Sequence, residues 1–479
     1  MADVRPTTDE FWRWPATTLA RAIGAGEVSS REVVSSHIGR IEAVNPTLNA
    51  LSDVRPDEAL AAAKVADDMV AARVELGPLH GLPVAVKVNS DQQGYATTHG
   101  VVAYADDIAA SDSAHVATMR RSGAIFLGRS NSPAFSYRWF TTNDLHGRTL
   151  NPWSAAHTPG GSSGGAASAV ASGMVPLAQG NDIGGSIRYP AHACGIVGLR
   201  PTVGRLAHSL YPPGQDQALS TQMMSVDGPL ARSIDDLRLF YAGMAAHTDP
   251  RDPFHAPAAL APPLPKNPRR VGLLRDVGVK APSAVVDQSL DTAAERLRAA
   301  GYQVEEVELP LLAEAWRLWY LLAMEEFRVL MPLVEQVGDE GMKKAAATYY
   351  SCAADWWGET PSLVDYMAGY ARRGTLISEL ASFLQEYPIV VLPASAEEVF
   401  EQDADIVTLA RGREVVAAQW MNMAIPVLGF PALTVPTGVA SGLPTGVSLL
   451  GRRFDEESLL DAGAVIEAGT GILTPIDPR

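Results

Sequence analysis

The chain has 479 residues, 47% of them hydrophobic and 19% charged, the balance of a water-soluble globular protein with ample material for a large core. A formal net charge of −16 opposes loose association with nucleic acid or anionic lipid, since either needs a basic surface to displace counterions. With only Cys194 and Cys352, there is neither a disulfide framework nor a thiolate zinc set, and the N-terminus lacks an apolar signal core, so the expected location is cytoplasmic.

Taken in chain order, residues 28–44 carry apolar side chains at helical spacing, with Ser29 or Ser30 as a cap, and read as a surface helix. GLPVAVKVN (81–89) is a Val-rich run between turn signals, a buried strand with Lys87 unusually placed near its end. Residues 112–123 form a helix closed by Gly123, and 124–131 a strand, one αβ step. GPLARSIDDLRLF (228–240) reads as another capped helix, and the Pro-rich stretch 253–268 as a connection. Strand and helix patterns then alternate through 269–276, 283–300, 302–309, a long helical stretch from Leu311, 387–393, 432–436 and 445–451. The apolar stretch 420–440 is broken by Pro426, Pro431 and Pro436, so no membrane span is expected. This order predicts an α/β fold with one mixed sheet sandwiched between helices, 1–479 forming a single unit. Within it, 1–75 is an N-terminal helical segment, 76–245 a core and 311–375 a variable region.

The stretch TPGGSSGGAASAVASGMVPLAQGNDIGGSIRYPAHACG (158–195) holds two glycine-flanked serine sites and neither a lysine nor a histidine between them. It lacks the spacing of a phosphate-binding loop. Gly-x-Ser-x-Gly occurs twice, around Ser162 and around Ser163, as in the nucleophile elbow of α/β-hydrolases, which takes a histidine later in the chain. His192, His208, His247 and His255 follow the serines, but no histidine lies beyond His255. In the other reading, Gly184-Gly185-Ser186 is a nucleophile with its own oxyanion hole, because glycines let successive N–H groups converge on one point. Its base is then a lysine whose pKa is lowered by burial, and Lys87 at the end of an apolar strand is the natural candidate.

Together these residues resemble the amidase signature hydrolases over nearly the whole chain. The resemblance rests on the strand lysine in GLPVAVKVN, the loop NDLHGRTLNPW, PGGSSGG, GNDIGGSIRYPAHACGIVGLRPTVGR, GPLARSIDDL and the ending GLPTGVSLLGRRFDEESLL. It implies Ser186 as nucleophile, Lys87 as base, and Ser162, after a cis peptide bond, as the bridge between them, with Ser163 its neighbour. It also implies an oxyanion hole from the N–H groups of Ile183, Gly184, Gly185 and Ser186, a bracing role for Arg188, and no metal or organic cofactor. One departure is Asn181, where the family usually has Thr.

For the substrate, Tyr137, Trp139 and Phe140 lie in the region that lines the family's substrate site, and the Trp356-Trp357 pair beside Gly358 reads as a loop lining a cleft. The Trp- and Leu-rich stretch 315–331 reads mainly as core, and the loop 211–219 as a flap. The expected substrate is an apolar or aryl-bearing linear amide, with carbamate (urethane) and ester cleavage as related chemistry. No nucleic acid or membrane partner is expected, and a homodimer is compatible with the family. Two alternatives stand beside this reading: a partner-dependent amidase component of a glutamyl-tRNA amidotransferase, and an esterase using Ser163.

Overall fold

The structure, a computed structural model, describes residues 10–208, 216–256 and 269–479. Residues 211–215 of the expected flap and 257–268 of the Pro-rich connection lie outside the described residues. The strands are β1 (Leu51–Asp53), β2 (Pro83–Lys87), β3 (Ile125–Ser130), β4 (Thr142–Asn143), β5 (Gly147–Arg148), β6 (Leu177–Asp182), β7 (Val197–Arg200), β8 (Val226–Ala231), β9 (Arg270–Leu273), β10 (Gln303–Glu306), β11 (Ile389–Pro393), β12 (Ala432–Ala440) and β13 (Leu443–Gly451). All but the β4-β5 hairpin join one 11-stranded sheet in the order β1-β3-β2-β6-β8-β7-β12-β13-β11-β9-β10.

The sheet is mixed, as the sequence order predicts. β2 runs parallel to both β3 and β6, β9 parallel to β10 and β11, and the central strands from β6 to β13 are antiparallel. Short apolar strands buried on both faces require helices on both sides, and the two-residue period of each strand divides its side chains between them. Val84 and Val86 pack in a core with Leu19, Val116, Leu237 and Leu290, whereas Ala85 packs on the opposite face with Ala166 and Val170 of the helix Gly164–Ala171. By that period Lys87 shares the face of Ala85, toward the helix that follows the paired serines. The order of strands places β6, which leads into Gly184-Gly185-Ser186, beside β2.

The helix expected over 28–44 is Ser30–Leu48, closed at its start by a capping box in which Ser29 and Glu32 exchange hydrogen bonds. Two expectations need correction. Residues 228–231 of the expected helix belong to β8, paired between β6 and β7, and the helix begins only at Ile234 with Ser233 as its cap. Trp356 and Trp357 are the last turn of the helix Glu340–Trp357 rather than a loop, since the Gly358 N–H continues the helical pattern to Ala354 O. Among the described residues no helix is long and apolar enough to cross a membrane.

Candidate active site

Lys87 ends β2 fully buried, and its backbone N–H donates to Gln179 Oε1 on the neighbouring β6 (3.0 Å). Its Nζ lies 2.5 Å from Ser162 Oγ and 2.8 Å from Asn181 Oδ1. Burial lowers the amine's pKa from the ordinary lysine range to about 7, against the opposing pull of the Asp227 and Asp182 carboxylates. Asn181 in turn donates from Nδ2 to Asn89 Oδ1 (2.9 Å), and Asn89 Nδ2 donates to Ser136 Oγ (3.1 Å). Position 181, noted in the sequence only as a departure, thus bonds the amine directly. That bond joins residues 94 apart in sequence, and nothing local signals it.

The peptide bond Gly161-Ser162 is cis. Gly161 is required there by space: a Cβ on it would stand 2.4 Å from Arg138 O. The Ser163 N–H donates to Ser186 O (3.2 Å), which draws the two serine loops together. Ser163 itself is fully buried, and its Oγ finds no hydrogen-bond partner among the described residues. The elbow reading around Ser163 is therefore not carried: no described histidine partners that hydroxyl. A buried Ser-His-Asp sequence does exist in Ser113, His115 and Asp227, but Ser113 Oγ–H is directed at Asp91 O, inside the protein.

Asp182 at the end of β6 organises the turn that carries Ser186. Its carboxylate accepts from Gly185 N (2.8 Å), Ile187 N (3.2 Å) and both Nε and Nη2 of Arg188 (3.0 Å each). Burial alone would raise its pKa, but Arg188 and Arg200 hold it below the usual carboxylate range. Arg188 also donates to Asn422 O (2.7 Å) and Met421 O (3.3 Å), the bracing expected of it. Gly185 has φ +95, and a Cβ there would stand 2.5 Å from Asn422 Cβ, so only glycine fits. The expected oxyanion set needs one correction. The Gly185 N–H is already committed to Asp182, while among the described residues the N–H groups of Ile183, Gly184 and Ser186 have no protein acceptor. Those three are the available donors beside Ser186, which is 7% exposed.

Behind Lys87, Asp227 on β8 accepts from Gln179 Nε2 (2.7 Å) and faces His115 Nδ1 (2.9 Å) and His208 Nδ1 (2.6 Å). Burial raises its pKa, but the two imidazoles outweigh this and hold the carboxyl well below its usual range. This cluster is absent from the sequence reading because its members come from three separate segments.

The aromatic residues separate into different roles. Tyr137 is half-buried, stacks on Phe327 (4.5 Å) and meets Tyr349 edge-on (5.2 Å). Trp139 is 4% exposed and directs Nε1 at Gly184 O (2.8 Å). Phe140, expected at the substrate, is instead core: it is fully buried and stacks on Phe400 (6.1 Å). Trp356 packs on Trp316 (4.8 Å) and Tyr320 (5.2 Å), and Trp357 Nε1 donates to Arg317 O (3.0 Å), so both tie helices together.

Known proteins are similar to this chain in sequence and fold. The profile of the family described as Amidase matches residues 32–460. The chain is similar to an indoleacetamide hydrolase of Bradyrhizobium diazoefficiens, 38% identical over 96% of this chain and 87% of the relative. It is also similar to a glutamyl-tRNA(Gln) amidotransferase component from Chloroflexus aurantiacus, 32% identical over 95% of this chain and 96% of the relative. Among solved structures, a bacterial aryl acylamidase of the amidase signature family superposes with TM-score 0.80 at 25% identity, covering 96% of each chain. With the family profile spanning most of its length, the chain belongs to the amidase family, the amidase signature hydrolases, whose chemistry is amide hydrolysis.

Proposed function

We propose that the protein hydrolyses a small aryl-bearing carboxamide, of the arylacetamide kind, through an acyl-enzyme on Ser186. The observation that carries the reading is the buried Lys87 amine, 2.5 Å from Ser162 Oγ and with a pKa near 7. A lysine so placed is substantially neutral at physiological pH and can accept a proton. Ser186 Oγ attacks the carboxamide carbon as its proton passes to Ser162 and the Ser162 proton to Lys87. The carbonyl electron pair moves onto oxygen, facing the free N–H groups of Ile183, Gly184 and Ser186. Collapse of this intermediate breaks the C–N bond, the leaving nitrogen takes the proton back through Ser162, and ammonia departs. Water then adds to the ester by the same relay, releasing the acid and restoring Ser186 and Lys87.

An aryl group is supported by Tyr137, Phe327 and Tyr349 and by the similarity to an indoleacetamide hydrolase and an aryl acylamidase. Aryl carbamates and activated aryl esters, which present the same carbonyl with a better leaving group, are side substrates on this mechanism. The similarity to an amidotransferase component favours a second reading, glutamine hydrolysis within a larger assembly. The test is ammonia release by the purified chain, and by Ser186→Ala, from indole-3-acetamide and from glutamine, with release of 4-nitroaniline from an acyl anilide. Turnover of the aryl amides that disappears in the variant is expected. Turnover of glutamine alone selects the second reading, and an active Ser186→Ala removes the acyl-enzyme altogether.

A further inference from the structure

The peptide unit between Ile183 and Gly184 has its carbonyl bonded by Trp319 Nε1 (2.9 Å). In a trans peptide the N–H points opposite to the C=O, so the bond that fixes the Ile183 carbonyl also fixes the direction of the Gly184 N–H. That N–H is one of the three beside Ser186 without a protein acceptor among the described residues. The next unit is held at both ends, its Gly184 carbonyl by Trp139 Nε1 (2.8 Å) and its Gly185 N–H by Asp182 Oδ1 (2.8 Å). Two consecutive glycines carry no side chain to restrict this backbone, and nothing in their own conformational preferences would keep either peptide plane from turning.

The two indoles are themselves locked. Tyr349, 5% exposed, meets Trp139 edge-on at 6.0 Å and Trp319 at 5.9 Å, and Trp319 also packs on Tyr320 at 5.6 Å. Trp319 belongs to the helix Leu311–Val337, distant in sequence from the serine turn, yet a Cβ added to Gly184 would stand 3.6 Å from its ring. A donor on the carbonyl also polarises the peptide and strengthens its N–H as a donor.

We infer that Trp319 is a positioning residue for the oxyanion hole, its indole N–H holding the Ile183-Gly184 peptide so that the Gly184 N–H faces the developing oxyanion. This rests on the acyl-enzyme reading above and adds to it a residue of the helix Leu311–Val337.

The test uses the full chain with Trp319→Phe, which keeps the ring and removes the donor, and Trp319→His, which returns a ring N–H. The reference is Trp153→Phe, which deletes an indole-carbonyl bond of the same kind, to Cys194 O (2.9 Å), away from the turn. For Trp319→Phe, kcat on an aryl amide is expected to fall by roughly 10- to 100-fold, a misaligned donor costing less than the 10²- to 10³-fold of a deleted one. KM should stay within about twofold, because the interaction matters only once charge develops. Affinity for an arylacetaldehyde, which adds Ser186 Oγ to give a tetrahedral hemiacetal, should weaken by the same factor as kcat/KM, while affinity for the product acid is retained. Trp319→His recovers part of kcat, and the pH profile keeps its acid limb, since Lys87 is untouched. A Trp319→Phe enzyme with unchanged kcat and aldehyde affinity overturns the inference, as does an equal loss in Trp153→Phe. Should Trp319→Phe fail to fold, Trp319→His decides alone: kcat/KM and aldehyde affinity must move together or the inference falls. Retained activity in Ser186→Ala would instead remove the acyl-enzyme reading, so the two failures are told apart.

Discussion

Replacing Asn181 by Ala removes the oxygen 2.8 Å from Lys87 Nζ and leaves Ser162 Oγ as the amine's side-chain partner. The lost bond is worth about 1.5–3 kcal/mol to an ammonium and about 0.5–1.5 kcal/mol to a neutral amine, so its removal disfavours the protonated form by about 1–1.5 kcal/mol. At 1.36 kcal/mol per unit this moves the Lys87 pKa down by about one unit from its value near 7. In the proposed mechanism the neutral amine is the base, so the acid limb of kcat/KM, expected near pH 7 in the parent, shifts to near pH 6. Asn181→Asp acts oppositely, since a carboxylate against the amine favours the ammonium, and its acid limb moves above the parent's. Both profiles are read from ammonia release by an aryl amide between about pH 5 and 9. An acid limb that stays in place in both variants, or that rises in Asn181→Ala, refutes the argument that Asn181 tunes the base.

Three further outcomes follow from the geometry. Lys87→Met should abolish turnover and flatten the pH dependence of the melting temperature: with the folded pKa near 7 below the unfolded value, the unfolded chain holds the extra proton between about pH 7 and 10.4, and parent stability rises with pH across that window. Gly161→Ala places a Cβ 2.4 Å from Arg138 O and should lower stability by about 1–3 kcal/mol in urea unfolding, with loss of activity; a variant as stable as the parent contradicts the packing described. Asp182→Asn leaves the buried Arg188 guanidinium without its carboxylate and should cost about 3–5 kcal/mol by the same measurement.

What was legible in the sequence was local. A Val-rich run between turn signals is a strand wherever it sits, so Lys87 could be placed at its end, and Ser29 three residues before Glu32 marks a helix start by itself. The ordered motifs then implied which serines belong with that lysine. Readings failed where a segment's environment, not its composition, decides. Residues 228–231 became part of a strand because β6 and β7 offer hydrogen-bonding edges on both sides, and Phe140 became core because Phe400, 260 positions away, covers it. The same holds for Asn181 on Lys87, the His115-Asp227-His208 cluster behind it, and the indoles of Trp139 and Trp319 on the Ile183-Gly184-Gly185 turn. Side-chain hydrogen bonds reach only about 3 Å, so their partners are chosen by strand order and helix packing, which bring distant segments within that range. The sequence alone determined which groups could do chemistry; the tertiary structure decided which amine is dry, which carbonyls are held, and which N–H groups of the serine turn are left without an acceptor among the described residues.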